Sequence, residues 1–188
     1  MSKPLILVTN DDGIDSRGIR HLVEIMNHFG EVVIVAPDSP QSGMGHAITV
    51  GDKLRLVKSD LFDNDLSYKC SGTPADCVKI AKHHLLKERK IDLIVSGINH
   101  GSNSSISVLY SGTMSAAIEG AIENTASIGF SLCDYDPNAS LSHTGPFIKK
   151  IVQNALQNGI PDSIALNVNI PAVSNENIKG IKICKQAN

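Results

Sequence analysis

Leu5-Ile6-Leu7-Val8-Thr9-Asn10-Asp11-Asp12-Gly13 opens the first regular element of this chain, and its reading decides the fold. Leu5 to Val8 form a short unbroken apolar run that stops at turn residues, the pattern of a strand buried on both faces. Asn10, Asp11 and Asp12 then bring adjacent carboxylates to the strand's carboxyl end, and Gly13 permits the turn. Two like charges at the edge of a core repel each other and lose hydration. The stretch therefore predicts a positive partner, and a hard divalent cation held by oxygens is an economical one. Taken alone, Asp-Asp-Gly reads as a solvated turn leading into a helix, so the rest of the chain must decide.

Apolar residues at Ile19, Leu22, Val23, Met26 and Phe29 give Ser16 to Phe29 helical spacing, stopped by Gly30. Val32 to Ala36 is a second buried run. Strand, helix and strand in so short a span imply a parallel pair joined by a right-handed crossover. Ala47 to Val50, Leu54 to Val57 and Leu66 to Cys70 are strand-like runs broken by Gly51-Asp52 and by Asp60 to Asp65, and they predict a small β-hairpin or meander. Thr73 as N-cap, Pro74 at the first position and Asp76 three after the cap start a helix. Cys77, Val78, Ile80, Ala81 and Leu85 are its inner stripe, with His83 and His84 on the solvated side. A strand at Ile91 to Val95 and a helix of small residues after Tyr110-Ser111-Gly112-Thr113 come next. A strand at Ile128 to Cys133, a helix at His143 to Leu156 and strands at Ile164 to Ile170 and Ile178 to Cys184 complete the pattern. The alternation predicts one α/β domain over residues 1–188: a mainly parallel, Rossmann-like sheet with helices on both faces and an inserted β-hairpin at about residues 47–70.

Composition narrows the function. The 188 residues are 41% hydrophobic and 19% charged with a formal net charge of -2, ordinary for a globular domain. Without a basic run there is no footprint for a nucleic-acid polymer. No apolar stretch is long enough to span a membrane. Cys70, Cys77, Cys133 and Cys184 form no C-x-x-C pair, so a reducing cytoplasm is expected.

Sheets of this kind bind ligands beyond the carboxyl ends of their strands, where the winding reverses. With the first strand central, three polar loops converge: Asn10 to Gly13, Pro37 to His46, and Ser96 to Ser105. Asp11, Asp12, Ser42 and Asn99 then make an all-oxygen set suited to Mg²⁺ or Mn²⁺. The helix start at Ser111-Gly112-Thr113 adds backbone N–H groups and a positive dipole end, which suits a phosphate.

Together these residues resemble the SurE family, the survival-protein phosphatases also called 5′-nucleotidases. The resemblance runs through Thr9-Asn10-Asp11-Asp12-Gly13, Ala36-Pro37-Asp38 with Ser42-Gly43, and Gly72-Thr73-Pro74-Ala75-Asp76-Cys77-Val78. It continues through Ser96-Gly97-Ile98-Asn99-His100-Gly101-Ser102-Asn103, Tyr110-Ser111-Gly112-Thr113 and Leu166-Asn167-Val168-Asn169-Ile170-Pro171. It implies Asp11, Asp12, Ser42 and Asn99 as metal ligands, and Asn103, Ser111, Gly112 and Thr113 as the phosphate side of the pocket. It also implies hydrolysis of nucleoside monophosphates, with polyphosphate as a further substrate in some members. Two departures stand out. Ser104-Ser105-Ile106-Ser107 replaces a loop that in the family often carries Gly and acidic residues. Family members usually continue several dozen residues past the point matching Asn188, in a tail that builds a dimer by exchanging arms. Its absence here implies a fragment or a different oligomer; with the tail, a homodimer or tetramer is expected.

The expected chemistry is divalent-metal-dependent hydrolysis of nucleoside 5′- and 3′-monophosphates by an activated water, with Asp11 and Asp12 as catalytic groups whose roles the sequence does not divide. His46 is a candidate acid for the leaving alkoxide or a polar loop residue. An aspartyl-phosphate enzyme would want its second carboxylate two residues on, and a phospho-receiver would want an acceptor Asp where Asn99 stands. A dinucleotide-binding module would want G-x-G-x-x-G after the first strand. A non-catalytic metal or nucleotide binder of the same fold is the remaining alternative.

Overall fold

In chain order, this computed structural model, which describes residues 3–63 and 66–186, forms β1 (Leu5–Thr9), α1 (Arg17–Met26), β2 (Glu31–Pro37), β3 (Leu56–Lys58), β4 (Ser67–Cys70) and α2 (Pro74–Ile80). There follow β5 (Leu93–His100), α3 (Gly112–Ile122), β6 (Ser127–Cys133), α4 (Gly145–Asn158) and β7 (Ala165–Pro171). The strands make one sheet in the order β3-β4-β2-β1-β5-β6-β7. Every pairing is parallel except β3 with β4. β1 is therefore central, with β2 on one side and β5 on the other, which meets the condition on which the three polar loops converge.

Side chains of β1 point alternately to the two faces, and each face has its own helical layer. Ile6 and Val8 pack with Ile19, Leu22 and Met26 of α1 and with Ile148, Val152 and Ala155 of α4. Leu5 and Leu7 pack with Cys77 and Val78 of α2 and Ala116 of α3. Complete burial of each such Leu or Ile contributes about 1.5–3 kcal/mol. This explains why the predicted core strands are continuous apolar runs. α2 starts as the sequence predicts. The Thr73 hydroxyl accepts from the Asp76 N–H, the Asp76 carboxylate accepts from the Thr73 N–H, and Pro74 takes the first position.

Four expectations change. Ala47 to Val50 is not a strand, because its polar groups go elsewhere: Thr73 donates to the Ala47 carbonyl, and the Thr49 N–H and hydroxyl donate to Asp76. The hairpin is β3 and β4 alone, and β4 joins the main sheet beside β2 rather than standing apart; of the predicted break at 60–65, residues 64 and 65 lie outside those described. β5 runs on to His100, five residues past the predicted end, with a register shift against β6 between Ser96 and Asn99. Ile178 to Cys184 is not a strand and pairs with no sheet edge; its residues are largely exposed.

α1 reaches β5 at one point of very close approach. A Cβ on Gly18 would stand 2.1 Å from the Ile98 carbonyl oxygen. Only glycine lets this helix lie so near the strand that carries Asn99. Gly18→Ala is expected to force the two apart and to destabilise the chain by about 1–3 kcal/mol. The check is a lower urea midpoint with an unchanged slope.

Candidate functional site

At the carboxyl end of β1 the chain turns from Asn10 to Gly13, and Asn10 holds that turn. Its Nδ2 donates to the Gly13 carbonyl and to the Ser16 hydroxyl, 2.8 Å in each case. Ser16 is the N-cap residue of α1, but its hydroxyl serves Asn10 rather than the helix. The carboxylate of Asp11 is buried, with 4% of the residue exposed, and it meets the start of α3. Thr113 Oγ1 donates to Asp11 Oδ1 at 2.5 Å. A Cβ on Gly112 would stand 2.5 Å from that of Asp11, so glycine is what lets the helix close onto the carboxylate. Burial raises the Asp11 pKa, while the Thr113 hydroxyl and the amides of Thr113 and Gly112 pull it down.

Asp12 is half-buried and has no such support. Burial first, and the neighbouring Asp11 charge second, push its carboxyl up to about 6. Among the described residues neither aspartate has an ion-pair partner.

The other two predicted loops come to the same strand end. The Gln41 N–H donates to the Asp11 carbonyl at 2.7 Å, which puts Ser42 one residue from a direct tether to the aspartate turn. Ser42 is exposed. Asn99 lies on the extended end of β5, half-buried, with its Nδ2 donating to the Gly101 carbonyl at 2.7 Å. Its side-chain oxygen is what remains to offer a cation. Asn103 is buried in a polar net: Nδ2 donates to Ser131, the N–H donates to Asn169 Oδ1, and the carbonyl accepts from Asn167 Nδ2. Ser111 caps α3 by accepting the Met114 N–H at 3.0 Å. Gly112 and Thr113, which the sequence assigns to phosphate, engage Asp11. Thus Asp11, Gly112 and Thr113 are in contact, the Ser42 loop is tied to Asp11, and Asn99 and Asn103 stand farther along β5 and the loop that follows it.

Several residues that build the site escape a reading of the sequence. Gln41, Asn167, Asn169 and Glu119 belong here by role, although Asn167 and Asn169 lie in one of the motifs that carry the resemblance, and residues two apart on a strand share a face. Glu119 is buried on α3, bonded to His46 at 2.8 Å and to Lys79 at 2.9 Å. An acid amid the small residues of that helix is its only mark in the sequence. Among the described residues no three His, Cys, Asp or Glu side chains gather to hold a metal; the predicted set contains just two carboxylates, completed by a hydroxyl and an amide.

Known proteins resemble this chain in sequence and fold. Residues 6–188 match the family described as Survival protein SurE. The 5′-nucleotidase SurE of Cytophaga hutchinsonii is 70% identical over 187 residues, covering 100% of this chain and 72% of that protein. The 5′-nucleotidase SurE of Bacteroides thetaiotaomicron is 50% identical over 187 residues, covering 98% and 70%. The crystal structure of the SurE protein from Aquifex aeolicus superposes with a TM-score of 0.89 at 42% identity, covering 97% of this chain and 72% of that one. The fold, the order of the motifs and these likenesses agree: the chain belongs to the SurE family.

Proposed function

We propose that this chain is a divalent-cation-dependent 5′-nucleotidase. It hydrolyses the phosphomonoester of nucleoside 5′-monophosphates to nucleoside and phosphate, with 3′-monophosphates and polyphosphate as further substrates. One observation carries the reading: two adjacent carboxylates, Asp11 buried and Asp12 half-buried, lie at the strand end where the loops meet, without an ion-pair partner among the described residues. The relatives' activity, named in the preceding section, is of the same kind.

The residues fit a hard cation. Asp12 is held near a pKa of about 6 by burial and by Asp11, so added positive charge would relieve both causes. The available donors are oxygens, as Mg²⁺ and Mn²⁺ prefer, and Asp11, Asp12, Ser42 and Asn99 would hold the ion. When bound, such a cation supplies Lewis acidity toward a phosphoryl oxygen and lowers the pKa of water. The chain supplies the rest. Asp11, fixed by Thr113 and the start of α3, is the anchoring carboxylate. Asp12, without that fixation, is the one available to orient the attacking water. The positive end of α3, with Ser111 and Asn103, forms the wall for the phosphoryl oxygens as their charge redistributes. We also place the chain in the cytoplasm. The unpaired state of Cys70, Cys77, Cys133 and Cys184 supports that reading. No helix of the described residues is long and apolar enough to cross a membrane.

Phosphate release from 5′-AMP by the purified chain, with Mn²⁺ and with chelator, tests the reading; release only with metal is expected. Asp12→Asn is expected to lower turnover at least about a hundredfold, ~2.7 kcal/mol of barrier. Near wild-type turnover in that variant, or wild-type binding of nucleotide and metal without phosphate release, would favour a non-catalytic binder.

Stability gives a second test. An unfolded chain holds the Asp12 proton with a pKa near 3.8, and the folded one holds it up to about 6. Between those values the native state binds more protons, so this contribution is fully present below the lower value and is lost as pH rises through the upper. In chelator, the urea midpoint of wild type is expected to fall relative to Asp12→Asn as pH rises from about 4 to about 6, with a constant gap above. A gap that does not vary with pH would contradict the assigned environment.

A further inference from the structure

The segment that carries Ser42 is a strap fastened at both ends. Its first end is the Gln41 N–H bond to the Asp11 carbonyl, 2.7 Å. At its far end the Gly45 N–H donates to the Tyr110 carbonyl at 3.2 Å, and His46 Nε2 meets Glu119 Oε2 at 2.8 Å. Beyond lie the Ala47 carbonyl, which accepts from Thr73, and Thr49, which donates to Asp76. Between the ends, Ser42, Gly43 and Met44 are exposed, and a Cβ built on Gly43 would meet nothing within 4 Å. With the arch this exposed, its fastened ends are the constraint on where Ser42 stands.

Of the side-chain ties at this end, the one that precedes those of Ala47 and Thr49 and lies nearest Ser42 joins His46 to a buried acid. Glu119 is 5% exposed, and a carboxylate so placed needs partners to stay charged. It has two: Lys79 of α2 and His46 of the strap. Glu119 lies on α3, six residues after Thr113, about 9 Å along the axis at 1.5 Å per residue. One rigid helix therefore holds Asp11 at its N-terminus and the strap farther along its length.

We infer that His46 is a positioning residue: through Glu119 it holds the Ser42 strap at a fixed offset from the Asp11–Asp12 turn and so sets the affinity for the divalent cation. The inference rests on the proposed metal reading. It gives His46 a task other than protonating the leaving group, with its Nε2 engaged by Glu119.

The test is calorimetric titration of the full chain with Mn²⁺ alone, without substrate. His46→Ala is expected to raise the dissociation constant about 10- to 100-fold, as loss of the groups that orient metal ligands does. His46→Gln, whose side-chain amide can donate to Glu119, is expected to return it to within about threefold of wild type, since that hydrogen bond is retained. Lys79→Met removes the other partner of Glu119 and leaves the strap tied, so wild-type affinity is expected. At saturating Mn²⁺ the His46→Ala turnover is expected to approach that of wild type, with the metal requirement alone increased. Should the alanine variant not fold, His46→Ser, polar but too short to reach Glu119, repeats the measurement. Wild-type affinity in His46→Ala, no recovery in His46→Gln, or an equal loss in Lys79→Met would each overturn the inference while leaving the metal reading standing. A wild-type chain that takes up no Mn²⁺ would overturn both.

Discussion

A carboxylate set against the start of a helix is the interaction on which the site depends. Asp11 is buried, and a buried charge without compensation costs several kcal/mol or loses its ionisation. Here the compensation comes from α3: the Thr113 hydroxyl at 2.5 Å, the first amides of the helix, and the positive end of its dipole. The contact has a steric condition as well, since a side chain at position 112 would collide with Asp11. It joins the end of β1 to an element more than a hundred positions on in the chain, across β5. The aspartate turn is thereby fixed to the sheet on one side and to the opposite helical layer on the other.

Those parts of the fold that depend on local pattern are legible in the residues. β1, β2 and the start of β5 are buried on both faces, so their sequences are plain apolar runs, and the helix between β1 and β2 carries its stripe at Ile19, Leu22, Val23 and Met26. The α2 start is legible because capping uses neighbours: Thr73, Pro74 and Asp76 lie within four positions. Where the deciding bond is distant, pattern misleads. Ala47 to Val50 has the alternation of a strand, but Asp76 and Thr73 claim its polar groups before any strand can. Ile178 to Cys184 has the apolar residues of a short strand yet is paired with no strand among the described residues. The continuation of β5 through polar residues to His100 is set by β6, which supplies partners at Ser131 and Leu132.

The site divides the same way. Paired acids after a central strand predict a cation locus from local chemistry, and the sheet order explains why loops from β1, β2 and β5 meet there. The supporting residues are not legible, because each acts across long sequence distances. Asn169 holds Asn103 from 66 positions away, and Glu119 holds His46 from 73. The groups that would touch a ligand lie in turns with recognisable composition, whereas those that orient them are ordinary polar residues made significant by the fold.

Adjacent aspartates provide the clearest case of environment separating like residues. Asp11 faces inward and is held by a hydroxyl and helix amides; Asp12 is left half-buried beside its charge, with a pKa raised to about 6. A site built from two equally held carboxylates would have no group left to move with a substrate, and one built from two loosely held carboxylates would have no fixed point from which to measure. Fastening one and leaving the other gives both. The same helix extends this logic through Glu119, since a single rigid element that locates Asp11 and the far end of the Ser42 strap converts two separate loops into parts with a common reference. Oxygen ligands drawn from different loops can hold a small divalent ion closely only if their spacing is set before the ion arrives, because Mg²⁺ tolerates little departure from octahedral geometry. On the proposed metal reading, α3 is the element that would set that spacing.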